Sequence, residues 1–445
     1  MDGIPQNHQG LMSKRIRVVW ICHFSDEKTR AQIQFRKSLL KRLKAWVKHT
    51  KSLPWKDSAV WNSNAIREFE QYDDIDLTVI FPHQGIQGKC QRFSLNGVKF
   101  VCFRSQDDSV IHHRWSKWTG KKEWEFKKNR RFIAAAIKTI NPDIVHVIGA
   151  ENPYYALAAL DIPESVPSIV SLQTLMSAPG FFENFHNSRD IYEHRAGIER
   201  EIIRKCDYIF SGSAPIQQYV RNHIKPGAVI CNLPLAVGVD VDTECGEKEF
   251  DFVYFASNIN KAGDVAIEAF ALALKKHPQL RLNVSGGFDE TYKMALDKRI
   301  RQLGIEENVF FSGAKATHEE VLKQIKKSKF AVLPLKVDMI SSTIREAMAC
   351  GLPVVTTVTP ATPELNKDRE SVLLSKPGDL SAMAEQMVKL AEDGALAEKI
   401  RANALVTVEE KYSNKSMMEK WRRAYHEIME HHAHGKPLSP DILAD

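Results

Sequence analysis

Short apolar runs recur along the chain, and the stretches between them carry apolar residues at helical spacing. RIRVVWIC (15–22), IDLTVIF (75–81), VKFVCF (98–103), DIVHVIG (143–149), PSIVSLQ (167–173), DYIFSG (207–212) and AVICNLPLAV (228–237) read as strands. Helical patterns lie between them at about 29–49, 121–140, 154–160 and 189–205. The runs are continuous rather than alternating. Both faces of each strand are therefore expected to be buried, as in a parallel sheet covered by helices on both sides. A polar stretch, DTECGEKEFD (242–251), breaks the rhythm, which then restarts. FVYFAS, LRLNVSGG, NVFFSG, FAVLPL and VVTT are its strands. Helices are expected over 263–276, 289–303, 316–327 and from about 341 to Gly351. The chain thus divides into two doubly wound, Rossmann-like α/β domains, 14–238 and 249–413. A last amphipathic pattern, 414–432, follows the completed second domain and is expected to pack back across the interface. Residues 1–13 and 433–445 are expected to be flexible tails.

A chain of 445 residues suits two domains at roughly 100–200 residues each. With 43% apolar and 26% charged residues, each has material for a sizeable core. The seven cysteines, at 22, 90, 102, 206, 231, 245 and 350, are odd in number and form no C-x-x-C pair. That pattern argues against a disulfide framework and a structural zinc site, and it fits a reducing compartment. No apolar run reaches the ~20 residues needed to cross a bilayer. The first residues, MDGIPQNHQGLMSKR, lack the apolar core of a signal peptide. A cytoplasmic location is expected. The net charge of +7 permits an anionic ligand or a membrane surface without demanding either.

Most of the readable chemistry lies in 330–357. Doubly wound sheets bind ligands at the carboxyl ends of their strands. FAVLPL ends at Leu335, so the loop 336–341 sits at that rim. Small hydroxyl residues at Ser341–Thr343 suit the start of a helix. The free N–H groups and positive dipole end there are suited to a phosphate. Gly351 and Pro353 stop the helix. Asp338 stands on the rim loop and Glu346 in the early helix. One such carboxylate can accept from a ribose diol, and the other can reach a polar group near the phosphates. Equally, Glu346 can pair with a neighbouring base and Asp338 can be a solvated loop residue.

The spacing D-x7-E, followed by AMACGLPVV, resembles the E-x7-E signature of retaining nucleotide-sugar glycosyltransferases of family 4. FVYFASNINKAGDVAIEAFALALKKHPQLRLNVSGG and NVFFSGAKATHEEVLKQIKKSKFAVLPL are similar to other parts of that family, so the likeness covers about 250–415. It implies the GT-B fold, two facing domains with a cleft between them. It also implies sugar transfer from a nucleotide-sugar to a glycan, lipid-linked or other hydroxyl acceptor, with no metal or other cofactor. By the same resemblance Glu346 holds the donor ribose, Asp338 faces the donor sugar, and Lys261 neutralises the leaving diphosphate. Ser341, Ser342, Thr343 and Ile344 meet the diphosphate. Gly286 and Gly287 let backbone approach the nucleotide, and Ser257 and Asn258 belong to the donor loop. The chain departs from the family at several points. Asp338 is one methylene shorter than the usual Glu, and Ser257 or Asn258 stands where the family has an arginine. His23, Phe24 and Ser25 replace a glycine-rich dipeptide, and Gln173 replaces a common histidine. Two alternatives stay open: a nucleotide-sugar-binding partner protein with a decayed site, and a GT-B epimerase.

In the first domain, His146, Gln173 and Glu151 are candidates for the acceptor or sugar side. His146 is otherwise a satisfied histidine in a buried strand, and Gln173 is otherwise structural. Segments 32–51 and 113–131 interleave basic with apolar or aromatic residues. Either could touch an anionic membrane surface peripherally at its inner face, or simply pack on the protein. No nucleic-acid partner is expected. The histidines at 426, 431, 432 and 434 read as a flexible tail rather than a metal site.

Overall fold

The computed structural model describes residues 15–36, 57–105, 126–178, 189–235, 246–256, 261–335, 341–359 and 361–444. In the first domain the strands are β1 (Ile16–Ile21), β2 (Ile75–Pro82), β3 (Cys90–Leu95), β4 (Val98–Phe103), β5 (Ile144–Ile148), β6 (Ser168–Ser171), β7 (Tyr208–Phe210) and β8 (Val229–Cys231). They form one sheet in the order β3-β4-β2-β1-β5-β6-β7-β8. Among the described strands, only β3 runs antiparallel to its neighbour. Its helices are α1 (Glu27–Ala31), α2 (Val60–Phe69), α3 (Lys127–Ile140), α4 (Pro153–Ala156), α5 (Arg189–Lys205) and α6 (Ala214–Tyr219).

The second domain has β9 (Phe250–Phe255), β10 (Leu282–Ser285), β11 (Val309–Gly313), β12 (Ser328–Leu333), β13 (Val354–Thr357) and β14 (Leu373–Ser375). They pair in parallel in the order β11-β10-β9-β12-β13-β14. The accompanying helices are α7 (Gly263–Leu274), α8 (Glu290–Leu303), α9 (His318–Ile325), α10 (Ser342–Ala349), α11 (Leu380–Glu392), α12 (Gly394–Lys411) and α13 (Asn414–His434).

The first strand shows why these runs are continuously apolar. Val18, Trp20 and Cys22 enter the core on one face of the sheet. Val19 and Ile21 enter the core on the other. Successive side chains point to opposite faces, so a sheet covered on both sides needs apolar residues at every position. Helix α13 supplies much of one cover. After the second domain is complete it returns to the first sheet, burying Met417, Met418, Trp421, Ala424, Tyr425 and Ile428. Arg422 and His426 of the same helix meet Asp74 at 2.9 and 2.6 Å.

Three expectations are corrected. Residues 433–444 are not a flexible tail. Leu443 bridges Cys231, and Asn232 N–H donates to Ile442 O while Ala444 N–H donates to Ile230 O. Leu438, Ile442 and Ala444 are buried. The chain end thereby covers the exposed edge of β8, whose unpaired backbone groups need partners. The helix expected over 29–49 stops at Ala31, and Phe35 bridges Ile86 instead. Residues 32–36 are therefore not part of a basic amphipathic helix, and 37–51 lie outside the described residues. Of the second basic-aromatic segment, 113–125 lie outside them too, and Phe126 is buried in the core rather than exposed. Among the described residues no helix is long and apolar enough to cross a membrane.

Candidate functional site

The loop after β9 and the start of α10 meet at the carboxyl-end rim of the second sheet. Lys261 is placed there by a tightly specified turn. Ala262 adopts a left-handed conformation (φ 53°) to open α7. Tyr254 hydroxyl donates to Lys261 O at 3.1 Å, and Gly263 N–H donates to Tyr292 hydroxyl at 3.0 Å. A Cβ at Gly263 would lie 2.9 Å from that hydroxyl, so glycine fits the close approach. The Lys261 ammonium then donates to Ser341 Oγ at 2.6 Å.

Ser341 is the N-cap of α10, yet its side chain does not cap. Its Oγ is held by Lys261 and by Thr343 Oγ1 at 2.7 Å. The first turn of α10 carries no acidic residue. The early N–H groups of a helix have no intrahelical acceptor. Those of Ser342, Thr343 and Ile344 therefore face the rim with the helix dipole behind them and a lysine beside them. Ile344 itself is buried in the domain core, so only its backbone can serve a ligand. Gly286, after β10, holds φ +155° with its Cα hydrogens against Ala256 O, and a Cβ there would fall 1.9 Å from that oxygen. Gly287 follows it on the exposed surface. Ser257, Asn258 and Asp338 lie outside the described residues.

Glu346 is buried one turn further along α10. Burial raises its pKa, while His318, Arg345, Lys261 and a hydrogen bond from Ser342 pull it back down. The carboxylate lies 4.0 Å from His318 Nε2. His318 is the first residue of α9, whose capping box is built by Thr317 and Glu320. Its N–H also donates to Asp57 of the first domain at 3.4 Å. Asp57 is in turn held by Arg30 at 2.7 Å. A carboxylate from one lobe thus meets the helix that carries the neighbour of Glu346 in the other.

Facing this rim, the first domain presents the ends of β5 to β8. Gln173 lines an interdomain cavity of about 400 Å³, with Gly212, Ser213, Pro234 and Leu235 from its own lobe. Arg345, Glu364, Lys367 and Tyr412 line it from the other. Glu151 follows β5. Burial, with the Glu199 carboxylate adding, pushes its pKa up to about 7. Asn152 donates to its Oε1 at 3.0 Å. Its partner in charge, Glu199, is spent on structure: it accepts from the N–H groups of Met176 and Ser177 and from Ser177 Oγ.

His146 does not reach the cleft. It is fully buried inside β5, between Tyr425 hydroxyl at 2.7 Å and Ser171 Oγ at 2.7 Å. Tyr425 hydroxyl accepts from Trp20 Nε1 at 2.8 Å and is also hydrogen-bonded to His146 Nδ1, so both ring nitrogens of His146 have a hydroxyl partner. Burial pulls the His146 pKa down to about 3, which keeps the ring neutral. The expected sugar-facing role is replaced by a structural one.

Arg345, His318, Asp57 and Ser213 escaped the reading of the sequence. Arg345, His318 and Asp57 act through partners in the other domain, and Ser213 only lines the cavity, relations that periodicity does not reveal. A signal did exist for Arg345, a charged residue directly before Glu346 in an otherwise apolar motif.

Residues 245–406 match the family model described as glycosyl transferases group 1. Over 137 residues the chain is 25% identical to N-acetyl-alpha-D-glucosaminyl L-malate synthase of Bacillus anthracis. That alignment covers 31% of this chain and 35% of the relative, so the chain matches about a third of the curated protein's length. Among solved structures, sucrose-phosphate synthase from Thermosynechococcus elongatus aligns with a TM-score of 0.65 at 15% identity, over 93% of this chain and 99% of that one. The Anabaena protein HepE in complex with UDP aligns with a TM-score of 0.63 at 12% identity, over 93% and 100%. The two facing parallel-sheet domains are those of the GT-B fold.

Proposed function

We propose that the protein is a retaining, family 4-type glycosyltransferase that moves a sugar from a nucleotide-sugar to a hydroxyl of a glycan or lipid-linked acceptor. The observation that carries this reading is the convergence of Lys261, the uncapped start of α10 and the buried Glu346 at one sheet rim. The match of residues 245–406 to glycosyl transferases group 1 supports it. So does the fold shared with HepE, whose structure holds UDP.

On this reading the donor diphosphate lies over Ser342–Ile344 with Lys261 beside it, and Glu346 accepts from the ribose diol. Departure of the diphosphate breaks the bond from the anomeric carbon to phosphate oxygen. The acceptor oxygen bonds that carbon on the same face, and its proton passes to the departing phosphate oxygen. Catalysis then consists of positioning and stabilisation of the developing charge by groups already oriented. Lys261 and the helix start supply that charge, so the reading assigns no metal. The acceptor reaches the cleft from the first domain, where Gln173 and Glu151 stand at the strand ends. The same reading places the enzyme in the cytoplasm, with peripheral contact at a membrane where the acceptor is lipid-linked.

The test is release of nucleoside diphosphate from UDP-glucose, UDP-N-acetylglucosamine, GDP-mannose and ADP-glucose, with water as the slow acceptor. Wild type should release the diphosphate from at least one donor, with the freed sugar retaining its anomeric configuration by NMR. Lys261→Ala should lower the rate by about 10²–10³, the loss typical of one oriented charge-stabilising donor. Equal rates in wild type and Lys261→Ala, or an inverted sugar, would overturn the assignment.

A further inference from the structure

Arg345 has no carboxylate in ion-pair contact among the described residues, and only the more distant charge of Glu346 acts on it. Its guanidinium lines the interdomain cavity. Nη1 donates to Leu235 O at 2.6 Å, and Cζ lies 5.4 Å from the centroid of the Tyr412 ring. Nε is buried without a hydrogen-bond partner. Among the described residues no carboxylate comes within ion-pair distance of it. Glu346 faces His318, and Glu364, on the cavity wall, lies 3.6 Å from Lys367. A buried charge is costly without a contacting partner, so a guanidinium on a cavity wall with an unused Nε and no carboxylate in contact is a place for an anion.

A second observation points the same way. Ser213 also lines the cavity, is 8% exposed, and its Oγ has no partner. Buried polar atoms are ordinarily satisfied, so this hydroxyl too awaits a ligand. Gln173 adds an amide, and Lys367 adds a second cation. The walls are the carboxyl-end loops of β6, β7, β8 and β13, where doubly wound sheets take their ligands. Arg345 is only three residues beyond Ser342, about 4.5 Å along the helix axis at 1.5 Å per residue. A volume of about 400 Å³ admits a small hydroxylated molecule.

We propose that this cavity binds the anionic group, a carboxylate or a phosphate, of a small hydroxylated acceptor, with Arg345 as its main counter-charge. This deepens the transferase reading and rests on it. Lys367 and Ser213 complete the anion's surroundings, and Gln173 meets a hydroxyl. Acceptors of similar size without the negative charge are discriminated against.

Calorimetry on the full chain tests the proposal in two stages. UDP, GDP and ADP are titrated first, and failure of all three to bind sinks the transferase reading by itself. The protein loaded with the diphosphate that binds is then titrated with glycerol 3-phosphate, L-malate and glycerol. At least one of the two anions should bind, and glycerol should not. The tighter of the two anions identifies phosphate or carboxylate as the group recognised. Arg345→Gln keeps an N–H for Leu235 O but loses the charge, and should weaken the anion at least tenfold, the effect of about one charge-assisted hydrogen bond. Lys367→Gln alters an exposed side chain, so it reads the same field independently of folding, and should weaken the anion about threefold. Failure of both anions to bind the diphosphate-loaded wild type overturns the proposal. So does glycerol binding as well as they do, or wild-type anion affinity in both variants.

Discussion

Glu346→Gln should weaken nucleotide binding and stabilise the fold in one and the same protein. The carboxylate is buried, and its nearest polar groups are His318 at 4.0 Å, Arg345, Lys261 and Ser342. Burial outweighs these partners and raises its pKa. A carboxyl whose folded pKa lies above its unfolded value gives stability that is fully present below the unfolded pKa. That stability is lost as pH rises through the folded pKa. At neutral pH the ionised side chain is therefore a cost to the fold. Gln has the same shape and no charge, so its gain at pH 7.5 should fall within about 0.5–2 kcal/mol, the common yield of one stabilising substitution. In a domain of this size that is roughly 2–4 °C per kcal/mol, and the gain should vanish near pH 4. Nucleotide binding moves the other way. If Glu346 accepts from the ribose diol as proposed, a neutral amide in its place should lose about 1.5–3 kcal/mol, roughly 10- to 150-fold in affinity. UDP calorimetry at pH 7.5 and thermal unfolding at pH 4 and 7.5 read both effects. Unchanged UDP affinity, or an equal loss of thermal midpoint at both pH values, would refute the reasoning.

Gly286→Ala should lose about 3 kcal/mol or more in urea denaturation, because its Cβ meets backbone oxygen at 1.9 Å and no rotamer relieves that contact; an unchanged midpoint would contradict the placement. Tyr425→Phe leaves Trp20 Nε1 and His146 Nδ1 without their shared partner, so stability should fall by about 1–3 kcal/mol while UDP affinity stays the same. A change in UDP affinity with stability intact would return His146 to the cleft. Asp57→Asn weakens the tie to Arg30 and to the start of α9, and should reduce UDP affinity two- to fivefold, about 0.5–1 kcal/mol. Identical titrations would show that the two lobes do not communicate through His318.

The two sheets were legible because a strand buried on both faces has to be apolar at every position, as Val18 to Ile21 show. Strand β3 was missed because CQRFSL mixes polar and apolar residues on a half-exposed edge. The Asn96–Gly97 pair, both at positive φ, was the available signal for its hairpin with β4. The chain end was misjudged because HHAHGKPLSP is polar, and its inward contacts come from Leu438 and from Ile442, Leu443 and Ala444 beyond it. Position in a strand was correct for His146, but its partner Tyr425 is 279 residues away and no local pattern names it. Lys261, Ser341 and Glu346 could be grouped from a motif. The residues that complete the cleft could not, since Arg345 reaches Leu235 and His318 reaches Asp57 only when the domains meet.

The proposed chemistry centres on an anion-binding rim formed by Lys261 and the start of α10. Crystal structures of the full chain grown with UDP, GDP and ADP test it most directly. The diphosphate of at least one is expected over the N–H groups of Ser342 and Thr343, within hydrogen-bond distance of Lys261 Nζ, with the ribose on Glu346. A diphosphate bound elsewhere, or a rim left empty at saturating concentrations of all three, would contradict it.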